Sequence, residues 1–109
     1  MNDDGRYEVF QMQAEFCKSL ADTKRLMIIH ELRGGEKSVS ELADKLGLKQ
    51  SNTSQHLSIL RKAGVIVPRR EGNTVYYDLA NPKIGEACDL VQSFIAEQLR
   101  SNHDLANLI

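Results

Sequence analysis

What this chain lacks narrows what it can be. It has no Trp, aromatic residues make up only 6% of it, and two Cys and two Pro occur in 109 residues. So few large rings suit a small helical domain better than a sandwich or barrel, which lean on aromatic and β-branched packing. Two cysteines, Cys17 and Cys88, are too few for the disulfide framework of a small secreted protein. No stretch approaches the roughly 18 apolar residues of a membrane span. The N-terminal MNDDGRYEVF is acidic and lacks the basic-then-apolar order of a signal peptide. A cytoplasmic location without membrane contact is expected. Patterns that carry chemistry are missing too: no Gly-rich phosphate loop, no paired nucleophile and base, no metal-ligand cluster and no cofactor signature. That argues against an enzyme.

A chain of this length is expected to form one domain over residues 1–109, with 1–6 and 101–109 as mobile ends. Such a domain buries a modest core, so association with a second copy would help its stability. The net charge of −1 conceals a strong segregation. Residues 1–48 carry seven Lys/Arg against nine Asp/Glu, and residues 78–109 carry two against five. Between them, residues 49–77 hold Lys49, Arg61, Lys62, Arg69 and Arg70 against Glu71 alone, a local charge of +4. A polyanion responds to the local field, so this segment is where a nucleic acid would be met.

Apolar periodicity predicts the elements. Val9, Phe10, Met12, Phe16, Cys17 and Leu20 have the three-and-four spacing of an amphipathic helix from Tyr7 to about Leu20. Asp22 is placed to cap a second helix, TKRLMIIHELRGG, which Gly34 and Gly35 stop. Ser38-Val39-Ser40-Glu41 is a capping box opening a helix from Glu41 to Leu46, ended by Gly47. After the turn Leu48-Lys49-Gln50, Ser51 begins a helix running to about Ala63, before Gly64. Helix, short Gly-containing turn and helix make a helix-turn-helix. Strand-like alternation follows, with Val65, Val67, Val75 and Tyr77 expected on one face and Glu71-Gly72-Asn73 as a hairpin turn. Pro68 lacks an amide donor and fits an edge strand. Asn81-Pro82 then starts a last helix, with Ile84, Ala87, Cys88, Val91, Phe94 and Ile95 as its apolar stripe, ending near Arg100. The fold class expected is mainly α with a small β-hairpin wing.

The front of the fourth helix, Gln50-Ser51-Asn52-Thr53-Ser54-Gln55-His56, is a run of hydrogen-bonding side chains with almost no charge. Base edges in the DNA major groove are read by such groups: Gln and Asn pair with adenine, Ser is permissive, and the Thr53 methyl can meet a thymine methyl. Leu57, Ile59 and Leu60 supply the apolar anchor behind it. Arg69, Arg70, Asn73 and Thr74 belong to the hairpin. The two arginines alternate, so one at most points at the duplex while the other can pair with Glu71. The alternatives are a solvated helix face for the whole run, a cap and nothing more for Ser51, and a backbone bond for His56. A winged module serving protein or RNA contacts is a further alternative.

These stretches resemble the ArsR/SmtB family of winged-helix repressors. AEFCKSLADTKRLMIIHEL, SVSELADKLGLKQSNTSQHLSILRKAGVI and RREGNTVYYDLANPKI carry the resemblance, over roughly residues 14–95. It implies a winged helix-turn-helix homodimer joined through its first and last helices. That dimer would bind double-stranded DNA at an imperfect inverted repeat and release it on meeting an effector. It also implies base contacts at Gln50, Ser51, Asn52, Ser54, Gln55 and His56. The residues add one argument of their own: Val9, Phe10 and Met12 with Val91, Phe94, Ile95 and Leu99 exceed what a three-helix core needs. They suit a shared seam, the alternative being cover for the chain's own core.

The family's metal ligands are not matched. Ser38 and Ser40 stand where one site has cysteines, and Asn81, Lys83, Phe94 and Glu97 where another has Asp, His, His and Glu or His. Only Glu97 could bind zinc, and His30, His56 and His103 are scattered. Cys17 and Cys88 remain as effector or redox candidates. Each lies on the apolar stripe of its helix, and two readings stand: inert small hydrophobes, or a pair brought together to form a disulfide or sulfur bridge or to bind trivalent arsenic. Some family members sense reactive sulfur with two cysteines on the second and last helices; here the first lies one helix earlier.

Overall fold

A computed structural model describes residues 5–107. The elements are α1 (Arg6–Leu20), α2 (Thr23–Leu32), β1 (Lys37–Ser38), α3 (Val39–Leu46), α4 (Gln50–Lys62), β2 (Ile66–Glu71), β3 (Thr74–Leu79) and α5 (Pro82–Asn107). Local chemistry sets most of these boundaries. The Asp22 carboxylate accepts the N–H groups of Lys24 and Arg25 at 2.8 and 3.2 Å and caps α2. Ser38 and Glu41 close the capping box at the start of α3 with bonds of 3.2 and 3.0 Å. Gly47, at φ +67°, ends α3 in the left-handed conformation that lets the Leu48 N–H reach back to the Ala43 carbonyl at 2.9 Å. The Asn81 side chain accepts from the Lys83 N–H at 2.9 Å, and Pro82 sits in the first turn of α5.

Four expectations need correction. The sheet has three strands, ordered β1-β3-β2, and the two-residue β1 is too short to show any alternation in sequence. α3 begins at Val39 rather than Glu41, because its cap is Ser38 itself. α5 runs to Asn107 instead of ending near Arg100; no Gly or Pro follows Arg100 to stop it, so residues 101–107 are helical rather than a loose end. Residues 1–4 and 108–109 of the expected mobile ends lie outside the described residues. The strand faces also differ. Glu71 pairs with Thr74 and Ile66 with Leu79, putting Ile66, Pro68 and Arg70 on one face and Val67, Arg69 and Glu71 on the other. Val65 precedes the strand, fully buried, and so starts the alternation one residue out of step.

The two-residue turn is Gly72-Asn73, with Gly72 at φ +60° and Asn73 not at positive φ, the pattern a type II′ hairpin requires. β2 is an edge strand, which tolerates Pro68. The core is Ile28, Ile29 and Leu32 of α2, Leu42 of α3, Leu57 and Leu60 of α4, then Val65 and Ile66. Each such burial contributes roughly 1.5–3 kcal/mol. This core clamps α3 and α4 against α2 and the sheet, leaving one side of α4 free. Among the described residues, no helix is long and apolar enough to cross a membrane.

Candidate nucleic-acid interface

α4 is oriented by its own apolar positions. Thr53, Leu57 and Leu60 recur at helical spacing and are fully buried, so the opposite side, Ser51, Ser54, Gln55 and Ser58, faces outward. That stripe is polar and uncharged, with Arg61 and Lys62 exposed at its far end. Ser58 was not among the residues singled out from sequence, although it lies one helical repeat beyond Ser51 and Ser54. Gln50 is exposed, and its amide donates to the Ser40 hydroxyl at 3.0 Å, tying the front of α4 to α3. Asn52 is half-buried beside it.

Three of the sequence readings change here. Thr53 has no exposed surface, and its hydroxyl donates to the Lys49 carbonyl at 2.9 Å, so its methyl cannot reach a thymine. Ser51 is not the cap: Lys49 occupies that position without a side-chain hydrogen bond, which leaves the first N–H groups of α4 uncapped by any side chain. His56 is turned away from solvent, its side chain 14% exposed, with Nδ1 3.3 Å from Arg25 Nη1 and 3.8 Å from the Asp22 carboxylate. Its hydrogen-bond partner is the Arg25 side chain of α2, and among the described residues no backbone group bonds to its ring.

The wing resolves the choice between the two arginines. Arg69 donates from Nε and Nη2 to the Glu36 carboxylate at 3.0 and 2.5 Å and lies 3.6 Å from Glu71. Its guanidinium also stacks 5.1 Å from the centre of the Tyr76 ring. This fork holds the Glu36 carboxyl below the usual carboxylate range and pushes the Arg69 pKa up. Glu36 lies 33 positions earlier in the chain, so no local sequence signal could have named it as the partner. Arg70, on the opposite face across from Val75, is exposed, and among the described residues no carboxylate pairs with it. Asn73 and Thr74 are exposed at the tip.

Away from this surface, α1, α2 and α5 line an open cavity of about 320 Å³. Cys17 and Cys88 both line it, with Leu26, Ile29 and Ile95 among its apolar walls. Cys17 is exposed and Cys88 half-buried; burial pushes the Cys88 thiol up, the nearby Arg33 opposing and Cys17 adding to the shift. Arg33 also pairs with Asp89, crossing α5 at Gly85, where a Cβ would lie 2.6 Å from the Arg33 Nε. Among the described residues there is no group of three or more His, Cys, Asp or Glu able to hold a metal ion.

Comparison with known proteins bears on this surface directly. Residues 22–67 match the family described as bacterial regulatory protein, arsR family. The HTH-type transcriptional regulator Rv0081 of Mycobacterium tuberculosis is 39% identical over 92 residues, which is 84% of this chain and 81% of that protein. The chain belongs to the arsR family of bacterial regulatory proteins. Its relatives are transcriptional regulators, and it is a regulator, not an enzyme. The biofilm growth-associated repressor of Agrobacterium fabrum is 42% identical over 83 residues, covering 76% of this arsR-family chain and 68% of the repressor. The fold agrees as well. A homodimeric winged helix-turn-helix DNA-binding domain from Mycobacterium bovis superposes with a TM-score of 0.82 at 30% identity, over 92% of this chain and 93% of that one. The crystal structure of Rv0081 gives 0.76 at 38% identity, over 86% and 95%. The winged helix-turn-helix expected from sequence is the fold of this regulator.

Proposed function

We propose that this chain is a homodimeric, sequence-specific repressor acting in the cytoplasm. In this reading α4 sits in the major groove and the β2–β3 wing on the flanking backbone of an imperfect inverted repeat. One observation carries the reading: the outward stripe Ser51, Ser54, Gln55 and Ser58 on a helix whose other side is locked in the core. Such a helix can donate to and accept from base edges without moving. Gln50 and Asn52 flank the stripe, while Arg70, Asn73 and Thr74 take the phosphates. Thr53 and His56 then support the reading helix from behind. The homodimeric domain from M. bovis and the named repressor from A. fabrum favour the same assembly and the same direction of regulation.

The test is a gel shift on the gene's own promoter at two salt concentrations. Wild-type protein should retard it strongly at low salt, with a steep loss as salt rises. Gln55→Ala should narrow the gap between operator and unrelated DNA by about 1–3 kcal/mol. Equal loss on every duplex would remove Gln55 from the set of base contacts.

For the effector, the shared cavity favours a thiol-based signal. Cys17, being exposed, meets the oxidant first and Cys88 resolves the adduct. Closing the disulfide passes two electrons and two protons to a peroxide or polysulfide, which leaves as water or sulfide. Arsenous acid would instead exchange two hydroxyls for the two sulfurs and release two waters. Blocking both thiols by alkylation should abolish release of labelled operator by these reagents. Release that persists in the alkylated protein leaves a regulator without a cysteine switch.

A further inference from the structure

Arg25, near the start of α2, touches both the end of α1 and the reading helix. Its Nε donates to the Ser19 carbonyl at 2.7 Å, one of the last carbonyls of α1, which have no partner within that helix. Its Nη1 lies 3.3 Å from His56 Nδ1, and donation there requires the proton of the neutral ring on Nε2. The backbone N–H of Arg25 binds the Asp22 carboxylate, which itself lies 3.8 Å from His56 Nδ1. Over the rest of α1, residues 7–15 are exposed, while Phe16, Ser19 and Leu20 sink toward the body. Cys17 precedes Ser19 by two residues and lines the cavity between α1, α2 and α5. Gln55 adjoins His56 on α4.

We propose that Arg25 is a positioning residue that ties the last turn of α1 to α4, so that the seating of α1 sets the pitch of the helix presented to DNA. This deepens the DNA-binding reading and rests on it. A partner subunit against α1, or an adduct on Cys17, shifts the Ser19 carbonyl. The guanidinium must then follow or let go of His56. A rigid planar fork transmits such a shift where a flexible ammonium would absorb it.

Amide hydrogen exchange on the free protein tests the tie without DNA. Arg25→Met should speed exchange at the α1 amides of residues 17–20 and the α4 amides of residues 55–57 by about tenfold, as expected for losing a hydrogen bond to a charged group. His56→Phe, which keeps the Arg25–Ser19 bond, should speed the α4 set alone. The β2–β3 amides should be unaffected in both. Should the methionine variant not fold, Arg25→Lys, whose single Nζ cannot hold both Ser19 and His56, is expected to speed exchange in one of the two sets. On operator DNA, Arg25→Met should bind about tenfold more weakly with its salt slope unchanged. Exchange matching wild type, or rising uniformly over the whole chain, would overturn the proposal. So would a salt slope reduced by about one, which would make Arg25 a phosphate contact. If wild-type protein binds no duplex at all, the DNA-binding reading falls while the exchange pattern still decides the tie.

Discussion

Arg69 and Arg70 are neighbours with opposite occupations, and the strand register is the reason. Arg69 faces Tyr76 and Glu36 and is spent on holding the wing to the α2–β1 loop, whereas Arg70 faces away from those groups. Arg70→Ala should therefore weaken binding on all duplexes alike and reduce the salt slope by about one. Arg69→Ala should weaken binding with the slope nearly unchanged, since its charge is already matched by Glu36. A comparison of log affinity against log salt for both variants checks this, and a larger slope change for Arg69 would reverse the assignment. At Cys88 the raised pKa means that the reactive thiolate forms only at higher pH than for an ordinary thiol. Its rate of alkylation, followed by mass spectrometry, should keep climbing beyond the pH at which a free cysteine levels off. That Arg69 and Arg70 differ was legible from strand alternation. Which of them was free was not, because Glu36 reaches the wing only through the tertiary fold.

At the scale of elements, capping and turn chemistry made most of the molecule readable. Asp22, the Ser38–Glu41 box, Gly47 and Asn81 each act through bonds to residues within five positions, and Gly72 acts through its positive φ. Ser38→Ala should cost about 1 kcal/mol of stability by freeing the Glu41 N–H, measurable as a lower denaturant midpoint with unchanged slope. No loss would mean that the tertiary contacts of α3 alone hold its first turn. The misreadings have local causes too. β1 is two residues long, below the length at which alternation exists, and is defined only by Lys37 and Ser38 pairing with Tyr77 and Tyr76. Thr53 looked like one more polar group on a polar helix, but helical phase puts it with Leu57 and Leu60.

At the scale of the whole molecule, a single chain is unfinished. Its radius of gyration is 17.2 Å, against about 13 Å expected for a compact domain of this length. Its 8022 Å² of surface exceeds the roughly 6,100 Å² expected for its mass. Val9, Phe10, Met12, Val91, Phe94, Ile95 and Leu99 are all at least half exposed, which excludes the alternative that they cover the chain's own core. Their joint exposure on α1 and α5 argues for a second copy; dimeric helix-turn-helix proteins in general present two reading helices one turn of duplex apart, about 34–36 Å. The most direct test is sedimentation of the full chain with a promoter duplex at low and moderate salt, with Phe94→Asp alongside. The account predicts two chains per duplex, binding that falls steeply with salt, and a Phe94→Asp variant that is monomeric with only weak, non-specific affinity. A wild-type chain that sediments as a monomer and ignores duplex DNA at low ionic strength would contradict it.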